Sequence, residues 1–218
     1  MFKYLLFDLD GTLTDSQEGL FKSFQYALSA YGIDEQDPEN LKRFIGPPAH
    51  YAFCEFYNFS EKDAICAVEV FRERFSTKGI YENKLYPGVF DMLKNLKEQG
   101  KIIALATAKP EHFAKIVIDY FDIAQFFDCV VGATMDNKDH SKVNIINKVL
   151  DNINADLNQS VMIGDRKFDI EAAKLCGIKT LGAEYGYAPQ GELVECGADF
   201  LVSSTKELEM LLCPKKYV

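Results

Sequence analysis

The sequence predicts an α/β protein, in which a doubly wound parallel sheet is interrupted by an inserted, all-helical domain. From residue 85 onward, buried apolar strands alternate with amphipathic helices, which is typical of a parallel sheet with helices on both faces. Residues 16–83 instead carry apolar side chains at helical spacing and show no convincing strand. We therefore expect a core formed by residues 1–15 and 84–218, and a helical domain formed by residues 16–83.

The first strand and the insert can be assigned from local patterns. Residues 3–8 form a short apolar run that ends at Asp8, as expected of a buried strand. In the insert, Gly32 is a helix stop signal, and Ser60 begins a Ser-x-x-Asp capping pattern. The predicted helices of the insert cover residues 16–32, 38–46, 50–59 and 60–79.

Strands and helices then alternate to the end of the core. The predicted strands cover residues 101–107, 128–133, 160–165, 179–186 and 199–204. The predicted helices cover residues 89–100, 110–121, 142–153, 168–177 and 206–212. Polar residues end several of these strands, namely Asp8, Asp10, Thr107 and Asp165. Because ligands of doubly wound sheets bind beyond the carboxyl ends of the strands, we expect these side chains to meet in one crevice.

The composition argues against several classes of function. With 48% hydrophobic residues, the chain is expected to fold around a core rather than stay disordered. A net charge of −9 disfavours binding to nucleic acid polymers or anionic membranes. The N-terminus becomes acidic too early for a secretory signal, and no apolar run approaches a bilayer span. Six scattered cysteines without a CxxC pair indicate reduced thiols, so a cytoplasmic location is expected.

Four segments resemble the motifs of the haloacid dehalogenase superfamily of phosphatases. These are DLDGT at residues 8–12, Thr107 in ALATAK, Lys142 in HSKVN, and GDRKFD at residues 164–169. The resemblance covers essentially the whole chain and implies a Rossmann-like core with the helical insert as a cap domain. Within the family, the segments RFIGPP and GIYENKLYPGV look most like the 5′-nucleotidase-like branch, close to the phosphoglycolate phosphatases.

Asp8 and Asp10 are the candidate catalytic pair. A carboxylate can attack phosphorus to give an aspartyl-phosphate, which splits one displacement into two steps. We expect Asp8 to be this nucleophile, and Asp10 to act as general acid and then as general base. The resemblance also makes Asp8 and the backbone carbonyl of Asp10 metal ligands. Dehalogenating members of the superfamily lack the second aspartate, so its presence favours phosphoryl transfer.

Residues near these aspartates are candidates for binding the substrate. Gly11 allows a sharp bend, and backbone N–H groups there can meet phosphate oxygens. Thr12 is either an auxiliary residue or a turn hydroxyl. By resemblance, Thr107 donates a hydrogen bond to a phosphoryl oxygen and Ala108 lies beside the substrate, whereas Lys109 is given no role and is expected to face solvent.

A cation is expected to neutralise the transferred phosphoryl group. Lys142 is favoured over the nearby Lys138, because it begins a predicted helix as the third motif of the family does. Asp165 is the predicted Mg²⁺ ligand, since magnesium prefers hard oxygen ligands. Asp169 follows one helical turn later, and three interpretations stay open: it holds a metal-bound water, it pairs with Lys142, or it is a carboxylate favoured at a helix N-terminus.

The remaining candidates are assigned no catalytic role. Arg43 is a candidate substrate anchor, with a solvated helix face as the alternative. The three histidines share no metal-ligand spacing and are assigned to the surface or to packing: His50, His112 and His140.

The resulting expectation is a Mg²⁺-dependent phosphatase that acts on a small phosphorylated metabolite. Phosphoglycolate and nucleoside 5′-monophosphates are the leading substrates. The alternatives are a phosphomutase like β-phosphoglucomutase or a pyrophosphatase with the same core, and a catalytically silent binding protein, which would have a broken catalytic set. The sequence does not predict an oligomeric state.

Overall fold

The computed structural model describes residues 2–135 and 141–213. Two of the residues discussed above, Lys138 and His140, lie outside these ranges. The chain divides into two compact units. One comprises Met1–Thr14 and Leu85–Val218, and the other comprises Asp15–Lys84.

The first unit is built on a six-stranded parallel sheet, which confirms the predicted fold class. Its strands are β1 (Tyr4–Phe7), β4 (Ile102–Pro110), β5 (Cys129–Ala133), β6 (Ser160–Gly164), β7 (Lys179–Ala183) and β8 (Phe200–Val202). Their order across the sheet is β5-β4-β1-β6-β7-β8. The order therefore reverses beside β1, which creates a topological switch point at this strand.

Helices connect these strands and cover the sheet. They are α5 (Val89–Glu98), α6 (Glu111–Tyr120), α7 (Lys142–Asn152), α8 (Lys167–Leu175), α9 (Glu192–Glu195) and α10 (Thr205–Leu212). One side of the core is formed by apolar residues of the central strands together with α7 and α8, including Leu6, Ile146 and Met162. The strands are buried on both faces, which explains why their sequences are continuous apolar runs rather than alternating apolar and polar residues.

The register of the central strands brings the polar strand ends together. Phe7, the last residue of β1, pairs with Leu105 in β4 and with Ile163 in β6. Residues that follow Phe7 and Ile163 therefore emerge at neighbouring points of the same sheet edge. Strand β4 continues past Thr107 to Pro110, three residues beyond its predicted end, with a register shift between these two residues.

The second unit is helical and packs around aromatic side chains. Its helices are α1 (Gln17–Ser29), α2 (Pro38–Lys42), α3 (Ala49–Tyr57) and α4 (Glu61–Arg74). Phe24 lies at the centre, with its ring centroid 4.1 Å from that of Phe44 and 4.5 Å from that of Phe71. Such aromatic contacts supply much of the buried apolar area of a small unit.

The last predicted helix of the insert differs from the expectation. Residues Phe75–Gly79 form a π-helical turn after α4 instead of continuing the α-helix. A close approach accompanies this turn: a Cβ on Gly19 of α1 would lie 1.9 Å from the carbonyl oxygen of Gly79. Only a residue without a side chain fits there. Two short strands, β2 (Thr14–Asp15) and β3 (Lys84–Leu85), form a separate two-stranded sheet.

The described residues show no helix with the length and apolar character needed to cross a membrane. All six cysteines lie within the described ranges, and none forms a disulfide.

Candidate active site

Lys142 links two carboxylates at the centre of the site. Asp8 directly follows β1, where its N–H donates to the carbonyl of Ile163 at 2.9 Å. Nζ of Lys142, the first residue of α7, lies 2.8 Å from Asp8 Oδ1 and 2.6 Å from Asp169 Oδ1. The other oxygen of Asp169 accepts the backbone N–H of Arg166 at 3.1 Å. Two of the interpretations of Asp169 therefore hold together: it pairs with Lys142, and it caps the start of α8.

Asp165 follows β6 and is fully buried. Its Oδ2 accepts the backbone N–H of Tyr187 at 2.8 Å, and its Oδ1 lies 3.4 Å from the Thr12 hydroxyl, which donates to it. The Tyr185 hydroxyl in turn donates to the carbonyl of Thr12 at 2.9 Å. Thr12 thus contacts the Asp165 carboxylate, so we assign it to holding that group rather than to direct substrate binding.

Two glycines allow the backbone to pass close to Asp165. Gly11 has a φ of +86°, and a Cβ there would lie 2.1 Å from Asp165 Oδ2. Gly186 approaches as well, since its Cβ would lie 2.3 Å from Asp165 Cβ. The N–H of Gly11, which we expected to face phosphate, instead donates to the carbonyl of Thr14 at 2.8 Å. The role of Gly11 in the structure is therefore steric.

Lys109 is buried and pairs with Asp10, so the expectation of a solvent-facing side chain was wrong. Its Nζ lies 2.9 Å from Oδ2 and 3.2 Å from Oδ1 of Asp10. The two side chains are 5% and 17% exposed, respectively. The two aspartates of the first motif thus contact different lysines, which come from the end of β4 and the start of α7.

Thr107 lies in β4 with only 2% of its surface exposed. Its hydroxyl oxygen accepts the backbone N–H of Lys109 at 3.2 Å. A hydroxyl in this arrangement has an O–H to donate, which is what the predicted contact with a phosphoryl oxygen requires. Ala108, between these two residues, is half-buried.

Burial and the close spacing of the carboxylates determine the pKa values of the site residues. Burial raises the pKa of Asp8 to about 6, with Lys142 opposing the rise and the charges of Asp169 and Asp10 adding to it. Burial and the charges of Asp169 and Asp8 raise the pKa of Asp165 well above its usual range. Burial alone would lower the pKa of Lys142, but the two carboxylates that it contacts raise it, so this lysine stays protonated.

The acidic side chains fit a divalent cation. One carboxylate oxygen from each of Asp8, Asp165 and Asp169 can be chosen so that all three lie within 4.8 Å of one another. Their oxygens are the hard ligands that Mg²⁺ prefers. Burial and then the neighbouring carboxylates raise the pKa values of Asp8 and Asp165, and a bound cation would oppose both effects. The carboxylate of Asp10 faces Lys109 instead, so only its backbone carbonyl corresponds to the ligand that the resemblance implies.

Other residues singled out from the sequence occupy ordinary surface positions. Arg43, in the helical unit, is exposed, and its guanidinium lies 4.1 Å from the centroid of the Phe56 ring. His50 Nε2 lies 3.0 Å from a carboxylate oxygen of Glu61. His112 is exposed.

Sequence reasoning missed the segment Tyr185–Tyr187. The predicted strand covers residues 179–186, but β7 ends at Ala183. The segment therefore leaves the sheet at the same edge as Asp8 and contacts the site. The signal was available, because a glycine between two tyrosines at a strand end indicates a close backbone approach.

Carboxylates at the switch point of a parallel sheet, three of them paired with two lysines, define a class of phosphoryl-transfer site. Residues 5–183 match the haloacid dehalogenase-like hydrolase family. The chain belongs to this family. It is a phosphatase that acts on phosphorylated substrates, as its named relatives indicate.

Three comparisons give the scale of the similarity. A 5′-nucleotidase of Pseudomonas aeruginosa is 39% identical over 189 residues, which cover 87% of this chain and 86% of that protein. A phosphoglycolate phosphatase of Aquifex aeolicus is 29% identical over 96% of both chains. The crystal structure of a predicted phosphatase from Clostridium acetobutylicum superposes with a TM-score of 0.94 and 38% identity, over 99% of this chain and 100% of that one.

Proposed function

We propose that the protein is a Mg²⁺-dependent phosphatase of small phosphorylated metabolites that works through an aspartyl-phosphate on Asp8. The observation that carries this proposal is the position of Asp8. It follows the central strand at the switch point, with Lys142 at 2.8 Å and within a group of carboxylates that fits a divalent cation. Phosphoryl transfer depends mainly on positioning and charge stabilisation, and these groups can supply both.

The chemistry can be written for two half-reactions. A carboxylate oxygen of Asp8 attacks phosphorus as the ester P–O bond breaks, and protonated Asp10 gives its proton to the leaving oxygen. Asp10, now a carboxylate, takes a proton from the water that attacks the aspartyl-phosphate. The acyl phosphate P–O bond breaks, inorganic phosphate leaves, and the Asp8 carboxylate is restored.

The surrounding groups stabilise charge during both steps. Lys142 keeps Asp8 in place and offers a fixed positive charge to the phosphoryl oxygens, while the Thr107 hydroxyl donates to one of them. A Mg²⁺ held by Asp8, Asp165 and the carbonyl of Asp10 would neutralise charge that develops on the phosphoryl group. Asp169 supports this set by fixing the ammonium of Lys142.

The relatives support two substrate classes, nucleoside 5′-monophosphates and 2-phosphoglycolate. We assign the helical unit, Asp15–Lys84, to the cap of the family, because it follows the first motif directly in the chain. Continuous release of inorganic phosphate separates this proposal from the alternative of a phosphomutase, which returns an isomeric sugar phosphate.

The test uses Asp8→Asn, which removes the nucleophile at nearly constant shape. We expect phosphate release from AMP and 2-phosphoglycolate to fall by several orders of magnitude while the melting temperature stays close to that of the wild type. Asp151→Asn is the matched control, since it makes the same chemical change at an exposed position of α7. Near-wild-type activity of Asp8→Asn would rule out the covalent mechanism.

Metal dependence is tested separately on the wild type. EDTA should abolish phosphate release, and added Mg²⁺ should restore it. In an acid-quenched reaction with ³²P-labelled substrate, the label should be found on the peptide that contains Asp8. Full activity in EDTA would overturn the metal assignment without affecting the assignment of the nucleophile.

A further inference from the structure

We infer that Lys109 is a positioning residue that holds the carboxylate of Asp10 for its work as general acid and base. The inference rests on the proposed function and adds a residue to it. Both oxygens of Asp10 lie within hydrogen-bond distance of Lys109 Nζ, at 2.9 and 3.2 Å, so the contact fixes the orientation of the carboxylate as well as its place. The contact is shielded from water, since the Lys109 side chain is only 5% exposed.

The backbone around Lys109 holds this lysine firmly. Its N–H donates to the Thr107 hydroxyl within β4, in the stretch where the pairing of β4 with β5 shifts register. Its carbonyl oxygen packs against Gly132 of β5, where an added Cβ would lie only 2.6 Å away. The irregular end of β4 thus turns the side chain toward Asp10, 99 residues earlier in the chain.

The two lysines of the site contact different carboxylates. Lys142 contacts Asp8 and Asp169, whereas Lys109 contacts Asp10. Carboxylates two residues apart repel each other, and a single cation would draw both toward one point. Separate cations on different elements keep the nucleophile and the acid–base group apart, so each can reach a different atom of the substrate.

This geometry predicts a dependence on the leaving group. Transfer to Asp8 from an alkyl phosphate needs a proton on the departing oxygen, which Asp10 must deliver from the correct position. p-Nitrophenolate is a stable anion and leaves without that proton. A residue that acts through Asp10 should therefore matter for alkyl phosphates and matter little for p-nitrophenyl phosphate.

The experiment measures kcat/KM, which reports the steps through the first bond cleavage, for AMP and p-nitrophenyl phosphate. The enzymes are the wild type, Lys109→Met, Asp10→Asn and the double variant. For AMP, we expect Lys109→Met to lose about 10- to 100-fold, within the range for a displaced acid–base group. For p-nitrophenyl phosphate the loss should stay within about threefold. In the double variant, kcat/KM should equal that of Asp10→Asn, because the inference has Lys109 act on the reaction through Asp10.

Three results would overturn the inference. Equal losses on both substrates would show a role in binding phosphate, and a further loss in the double variant would show a role independent of Asp10. An Asp10→Asn variant with no preference between the substrates would instead refute the acid–base role in the proposed function, on which the inference rests. The double variant removes both charges of the Lys109–Asp10 pair together, so it keeps the test valid if Lys109→Met alone fails to fold.

Discussion

Gly186 offers a test of how tightly the backbone controls Asp165. It lies beside the fully buried carboxylate and has no positive φ, so an alanine there meets no backbone strain. Its added Cβ would lie 2.3 Å from Asp165 Cβ, 2.4 Å from the carbonyl oxygen of Gly11 and 2.6 Å from Asp165 Oδ2. Carbon atoms normally meet at about 3.5–4.0 Å, so the neighbours of the new methyl group must move by about 1 Å.

The expected cost follows from this displacement. Overpacking of a well-filled site costs about 1–3 kcal/mol of folding free energy. A catalytic group that moves by about 1 Å can lose about 100-fold in rate. We therefore expect Gly186→Ala to remain folded, to lose about 100-fold in kcat/KM for p-nitrophenyl phosphate, and to require more Mg²⁺ for half-maximal activity. Thermal unfolding and a Mg²⁺ titration of phosphate release measure these effects.

Gly177→Ala is the control for backbone effects alone. Gly177 has a φ of +74° and no atom within 4 Å of an added Cβ, so its alanine variant pays conformational strain without a steric clash. We expect a loss of about 1–2 kcal/mol in stability and an unchanged kcat/KM. If Gly186→Ala is folded and keeps kcat/KM and its Mg²⁺ requirement within twofold of the wild type, the steric argument about Asp165 is refuted.

Three further substitutions test individual contacts. Thr12→Val removes the hydroxyl that donates to Asp165, and should lower kcat/KM about tenfold at saturating Mg²⁺; an unchanged value would show that this hydrogen bond is dispensable. Ser60→Ala removes the side-chain cap of α4 and should lower the free energy of unfolding by about 1 kcal/mol in urea titrations, without changing kcat/KM. The paired hydrogen bonds from Arg74 lower the pKa of Glu82 below its usual 4.5. These hydrogen bonds therefore stabilise the folded protein fully above pH 4.5, and their contribution is lost as the pH falls through the folded-state pKa of Glu82. The difference in the free energy of unfolding between the wild type and Glu82→Gln should vanish in acid. A difference that persists there would contradict this assignment.

The parts of the site that lie at the ends of central strands were predictable from the sequence. Asp8 and Asp165 each end a continuous apolar run, and the runs are short enough to be strands of a parallel sheet. Because β1 and β6 are neighbours in register, placing the two residues at strand ends also placed them together. Lys142 could be predicted from the sequence for a different reason, since it begins a helix that follows a strand of the same sheet.

The remaining contacts depend on irregular backbone, which periodicity does not describe. Lys109 follows the predicted end of a strand, where alternation no longer determines which way a side chain points. The real strand continues to Pro110 with a shifted register, and this shift turns Lys109 inward. Tyr187 contributes a backbone N–H, which is chemically the same in every residue other than proline, so the preceding Gly186 rather than the identity of Tyr187 carried the signal for this segment.

The charges of the site explain why two closely spaced aspartates can end an apolar strand. Four carboxylates and two ammonium groups lie together, from Asp8, Asp10, Asp165, Asp169, Lys109 and Lys142. Their formal charge is −2, and burial together with the repulsion among these carboxylates raises the pKa values of Asp8 and Asp165. In the proposed mechanism a protonated Asp8 could not act as the nucleophile, so a divalent cation that balanced this excess would do two things at once. It would favour the ionised form of Asp8, and it would remove the repulsion that a phosphate dianion meets on entering.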